Sequence, residues 1–142
     1  MSDSVTIRSA DGRSHLTVWP PNEADSDPQF SAELDVQTYR GRFQARRWDL
    51  ELESLHGFIR QLDAFILNRK QLARLEGDFG SCIEISGTAT EVILSVVLRD
   101  NSIGNTLAHP YMISCAFPID QQHLNPMLEG FKQLAGSDYP AL

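Results

Sequence analysis

The stretch from Leu52 to Ile66 constrains this chain more than any other. Leu52, Leu55, Phe58, Ile59, Leu62, Phe65 and Ile66 recur at spacings of three and four, the repeat that places side chains on one face of an α-helix. A helix striped in this way must lay its apolar face on something, and the rest of the chain has to supply that surface. Asp49 stands where an N-cap belongs, since its carboxylate can accept from an early backbone N–H. Glu51 and Glu53 favour the positive end of the helix dipole. Arg69 and Lys70 suit the other end. Gly57 inside the pattern costs about 1 kcal/mol relative to alanine, and reads as a place of close packing.

The surrounding text has a period of two. Val5 and Ile7 alternate with polar residues, Asp11-Gly12 marks a turn, and Leu16 and Val18 alternate again up to Trp19. That is the pattern of a β-hairpin, and Pro20-Pro21 ends it because proline supplies no ladder donor. The acidic, proline-bounded stretch PNEADSDP is a loop by composition. From Gln29 to Trp48 the strand pattern changes phase: Leu34 and Val36 share one parity, and Tyr39, Phe43 and Ala45 the other. Two strands near Gly41, or one bulged strand, reconcile this.

Period two returns at Cys82, with Ile83 and Ile85 before the turn-like Gly87-Thr88. Glu91 to Arg99 is apolar on both parities, the mark of a central strand or one covered on both faces. Asn105 to Phe117 reads as a further strand interrupted by Pro110. A second helical period, Leu124, Met127, Leu128, Phe131 and Leu134, closes the chain, with Asp120 or Asn125 as its cap and Pro126 in its first turn. The order is strands, helix, strands, helix. It predicts an α+β fold: a mostly antiparallel β-sheet with helices near 50–68 and 125–136 packed on it. At 142 residues the expectation is one domain spanning 1–142.

Charge narrows the partners. The net charge is −7, and a chain this acidic repels nucleic acid and anionic membranes. The longest apolar run, Val92 to Leu98, is seven residues long and includes Ser95, so it spans no bilayer. The N-terminal text MSDSVTIRSADG shows no basic head before an apolar run, which predicts a cytoplasmic protein with Cys82 and Cys115 as free thiols. The charge is unevenly spread: the balance is −5 over residues 1–38, +4 over 39–75 and −6 over 76–142.

Motifs for chemistry are missing from the text. His15, His56, His109 and His123 share no helix-turn spacing with one another or with a cysteine, and there is no CxxC or HExxH. His109 and Cys115 share strand parity, which fits a strand histidine near a buried thiol better than a zinc site. Asp25-Ser26-Asp27 lacks the further ligands of a calcium loop. No GxSxG or GxxxxGK[ST] occurs. GDFG, residues 77–80, reads as the turn between helix and strand. No metal and no cofactor is therefore expected. Arg40, Arg42, Arg46 and Arg47 form the one dense basic cluster. It is either an anion or acidic-partner groove, or a solvated strand face paired with Glu33 and Asp35; the second is the commoner situation. Trp19, Phe30, Tyr39 and Trp48 are expected in the core.

The order of landmarks resembles the WapI-type bacterial immunity proteins and their relatives. The resemblance runs through the helix text WDLELESLHGFIRQLDAFI, the break LEGDFGSCIEI, the paired strands EVILSVVLRDNSIGNTLAHPYMIS and the ending FPIDQQHLNPMLEGFKQL. It covers roughly residues 33–135, with Trp48, Gly77, Gly104, Asp120 and Gln121 at the landmark positions. It implies a bacterial, cytoplasmic protein that binds and blocks a toxin domain, with no catalytic residue of its own. The exposed acidic loop residues Glu23, Asp25 and Asp27 are the candidate partner-binding residues. Two other classes compete with this reading. One is a small enzyme or ligand-binding domain with a pocket between sheet and helices. The other is an oligomeric accessory protein.

Overall fold

The Asp11-Gly12 turn forms as its sequence demands. Gly12 adopts φ +77°, a conformation that side-chain-bearing residues avoid. The Asp11 carboxylate accepts from the Ser9 hydroxyl and from the Arg13 N–H at 3.0 Å. The hairpin it closes joins β1 (Val5–Arg8) to β2 (His15–Trp19), paired antiparallel with Ile7 opposite Leu16. The computed structural model of the chain describes residues 4–20, 30–50, 52–77, 81–88, 90–100 and 111–136.

β3 (Phe30–Thr38) and β4 (Gly41–Leu50) extend this hairpin into a four-stranded antiparallel sheet ordered β1-β2-β3-β4. The phase change between them has two causes. Tyr39-Arg40 is a turn, so residues of opposite parity face each other: Val36 lies opposite Phe43, and Leu34 opposite Ala45. Beyond that the register shifts, because Glu33 of β3 stands opposite both Arg46 and Arg47 of β4, a β-bulge. Asp49 is not the helix cap. It lies in β4 opposite Ser31, so strand pairing there overrides the local capping preference.

α1 (Leu52–Leu67) follows, and its buried stripe is the one the spacing predicts: Leu55, Phe58, Ile59, Leu62 and Phe65. Arg69 closes it by donating to the Phe65 carbonyl at 3.3 Å, its guanidinium over the Phe65 ring. Gly57 is not a site of close packing, since a Cβ there would meet nothing within 4 Å.

The remaining strands make a second four-stranded antiparallel sheet, ordered β5 (Ala73–Glu76), β6 (Cys82–Gly87), β7 (Val92–Asp100) and β8 (Tyr111–Ile119). The antiparallel strands of the α+β fold thus divide into two sheets on either side of α1. β7 is central, as its two-sided apolar pattern requires. Gly87 is fixed by the turn into β7, where a Cβ would lie 2.1 Å from the Glu91 carbonyl oxygen. β5 has no counterpart in the sequence reading. The predicted strand text at 105–110, including His109 and Pro110, lies outside the described residues.

A short 3-10 turn (Gln121–His123) leads into α2 (Leu124–Ala135). The Asp120 carboxylate caps the turn by accepting from the Gln122 N–H at 3.0 Å, and Pro126 sits in the first turn of α2. Gln121 ties three elements: it donates to the Thr90 carbonyl at 3.0 Å and accepts from Arg69 at 3.2 Å. The Asp-Gln pair of the sequence resemblance is thus a structural fastening. One buried cluster draws from both sheets and both helices, and Phe58 meets Phe131 edge to face at 4.9 Å. Of the aromatics expected inside, Phe30 is buried, whereas Trp19 and Tyr39 are 42% and 84% exposed. Trp19 has the strand parity of His15, opposite to the buried Leu16 and Val18, and Tyr39 lies in the turn between β3 and β4. Nothing is described of the Trp48 side chain.

Cys82 and Cys115 are free. Cys82 pairs with Val97 and Cys115 with Val96. Adjacent residues of β7 point to opposite faces, so the two thiols do as well.

Two substitutions in α1 test this packing with opposite signs. Leu62→Ala opens a cavity at a fully buried position and is expected to lower stability by roughly 2–5 kcal/mol. Gly57→Ala fills open space and is expected to raise stability by about 0.5–1 kcal/mol. Urea unfolding of both variants checks the signs.

Candidate partner-binding surface

The outer face of the first sheet is uncovered among the described residues, and it gathers most of the chemistry the sequence singles out. β2 contributes His15 and Trp19, β3 contributes Glu33 and Asp35, and β4 contributes Arg42 and Gln44. The register puts His15 opposite Asp35 and Asp35 opposite Gln44. His15, Glu33, Asp35, Arg42 and Gln44 line a shallow depression of about 310 Å³.

Asp35 is its electrostatic centre. Arg42 Nε donates to one carboxylate oxygen at 3.0 Å, Arg42 Nη2 donates to the other, and Gln44 adds a bond at 3.2 Å. The Arg42 guanidinium holds the Asp35 carboxyl down to about 2, against some opposition from burial. The partnership likewise raises Arg42. Of the two readings of the arginine cluster, the paired strand face is the one Arg42 follows. Glu33 accepts from the indole N–H of Trp19 at 3.3 Å.

The tip of the β3–β4 hairpin carries a different surface. Tyr39 is 84% and Phe43 58% exposed. Arg40 lies over the Tyr39 ring at 5.2 Å and donates to its hydroxyl at 2.9 Å. Thr38 holds the turn: its hydroxyl accepts from the Arg40 N–H at 3.1 Å and donates to the Gly41 carbonyl at 3.3 Å. Phe43 lies on the face that buries Leu34 and Ala45 nearer the core, but its strand runs past that core. A tyrosine, a phenylalanine and an arginine on a pinned turn make a rigid aromatic projection.

An Asp35 that stays ionised down to about 2 transfers no proton near neutral pH. Burial pushes the Cys115 thiol up, away from the thiolate that a nucleophile needs. Among the described residues no three His, Cys, Asp or Glu side chains are grouped to hold a metal ion. A second concavity, of about 340 Å³, lies between β1 and α2, with Arg8, Ile119, His123 and Met127 in its lining. Among the described residues, no helix is long and apolar enough to cross a membrane. Glu23, Asp25 and Asp27 lie outside the described residues, as does Gly104.

The sequence reading missed the aromatic tip by assigning Tyr39 to the core. The signal that finds it is the position of the turn, because Tyr39 and Arg40 are the two residues that connect β3 to β4 at Gly41.

No family model matches the chain, and neither does any curated protein or solved structure.

The Asp35–Arg42 pair gives a pH-dependent prediction. A carboxyl lowered on folding adds stability above its unfolded value, near 3.9, and that stability is lost as pH falls through about 2. Asp35→Asn is therefore expected to destabilise modestly at neutral pH, by less than about 1 kcal/mol because the pair is near the surface. Its difference from the parent protein should shrink below pH about 4. Thermal melts of both proteins across acid pH measure that difference.

Proposed function

We propose that this protein binds and neutralises a toxin domain and turns over nothing itself. The observation that carries the reading is the β3–β4 tip, where Tyr39 and Phe43 stand exposed beside a stacked Arg40. Tyrosine and arginine are the residues that most often dominate binding energy in protein interfaces, and a pinned turn loses little entropy when it docks. The resemblance to WapI-type immunity proteins supports the same reading, and so does the net charge of −7. A basic toxin would be steered toward this chain from a distance. Glu23, Asp25 and Asp27 are the steering charges in this proposal, and the aromatic tip is the anchor. The setting is a bacterial cytoplasm.

The cleft between β1 and α2 favours a second reading, a small-ligand domain or enzyme. Its volume, about 340 Å³, falls within the range of ligand pockets. The ionisable side chains in its lining are Arg8 and His123, which suit a small anion.

The deciding experiment is co-expression with the toxin encoded by the adjacent gene, followed by binding kinetics. Wild-type protein is expected to rescue growth. Tyr39→Ala with Phe43→Ala should weaken binding at least tenfold, mainly through faster dissociation, since truncating a central anchor costs more than about 1.4 kcal/mol. Reversing Glu23, Asp25 and Asp27 to lysine should slow association, most visibly at low salt. Failure of the wild-type protein to rescue removes the immunity reading.

A further inference from the structure

Each sheet has two edges, and the four edge strands are protected unequally. β5 is covered by α1, whose Gln61 side chain accepts from the Arg74 N–H at 2.8 Å. β1 lies against α2, where a Cβ on Gly130 would touch Val5 at 3.3 Å. β4 carries Arg42, Arg46 and Arg47. β8 reads YMISCAFPI, nine residues without one charged side chain. Among the described residues, no strand pairs with its outer edge. Bare, uncharged edges of this kind are what monomeric sheet proteins avoid, because they offer a ready row of donors and acceptors to another strand.

The direction of those groups follows from one bond. The Pro118 carbonyl accepts from the Ala10 N–H at 2.8 Å, so it points away from β7. In an antiparallel ladder the N–H and C=O of a residue face one side and alternate along the strand. The register of β8 on β7 runs without a shift. Met112, Ser114 and Ala116 therefore aim their peptide groups outward as well. The side chains of all three are exposed, Met112 by 57%.

We propose that β8 pairs antiparallel with β8 of a second copy of this chain, joining two four-stranded sheets into one continuous sheet. Charge selects this occupant. Two copies, each at −7, repel wherever acids face each other, and β8 brings none to the contact. A charged macromolecule, by the same token, meets no counter-charge on this strand. The geometry is self-complementary, as a two-fold contact requires. An axis through Ser114 sets Met112 opposite Ala116 of the other copy, large against small on one face. Pro118, with no N–H and its carbonyl already taken, ends the pairing. The strand contact is smaller than a standard interface, so the dimer forms in a concentration-dependent way. This proposal does not rest on toxin binding.

Sedimentation equilibrium from micromolar to millimolar protein tests it. The mass is expected to rise from 15.9 kDa toward twice that value. Ser114→Lys and Ala116→Lys, both at exposed positions, should stay monomeric throughout with an unchanged circular dichroism spectrum. Hydrogen exchange on the wild-type chain gives a second readout that needs no variant: the amides of Met112, Ser114 and Ala116 should slow at least about tenfold at high concentration. A mass fixed at the monomer value overturns the proposal. So does dimerisation of well-folded lysine variants, or a dimer in which those three amides exchange as before.

Discussion

Phe58 against Phe131 is the contact at which the two helices of this fold meet. The rings lie edge to face at 4.9 Å and 78°, the geometry that sets the positive edge of one ring against the negative face of the other. Around them the stripe of α1 and the apolar side of α2 are buried together. α1 runs beside β5, an edge of the second sheet, and α2 runs beside β1, an edge of the first. The helix pair thus fastens the two sheets, which contribute to one buried cluster with it. Each helix also shields a strand edge, so one packing event fills the core and covers two open ladders.

Much of this was legible where period and turn chemistry agreed. The helices expected near 50–68 and 125–136 lie at Leu52–Leu67 and Leu124–Ala135, because long amphipathic patterns are hard to satisfy in any other way. The Asp11-Gly12 hairpin was equally plain. β5 was not, since Ala73 and Leu75 give only two alternating apolar positions directly after a helix. Asp49 misled because capping is a local preference, and its backbone was recruited by β3 instead. Trp19 and Tyr39 misled because aromatic character decides neither strand parity nor the place of a turn: Trp19 alternates with the buried Val18, and Tyr39 lies in the β3–β4 turn.

The candidate surface was legible in its parts and not in their arrangement. Glu33 and Asp35 were natural partners for the arginines on composition alone. That Arg42 takes Asp35 depends on the Tyr39-Arg40 turn, which fixes Gln37 opposite Arg42 and brings Asp35 onto the diagonal. The bulge at Glu33 shifts every later residue of β4 by one position, and no single residue announces it. A polar sheet face and an aromatic hairpin tip are products of register, which a sequence encodes only through the whole set of pairings.

Gln121 has a consequence for the order of events in folding. Its side chain joins the β6–β7 turn, through the Thr90 carbonyl, to Arg69 just beyond α1. The two contacts span separations of 31 and 52 residues. Neither can form until the loops between them have been closed, and loop closure has an entropic cost that these exposed bonds cannot offset alone. They therefore belong to the late, descending side of the folding barrier. A late contact acts as a latch: its loss leaves the rate of folding nearly unchanged and shortens the lifetime of the folded chain.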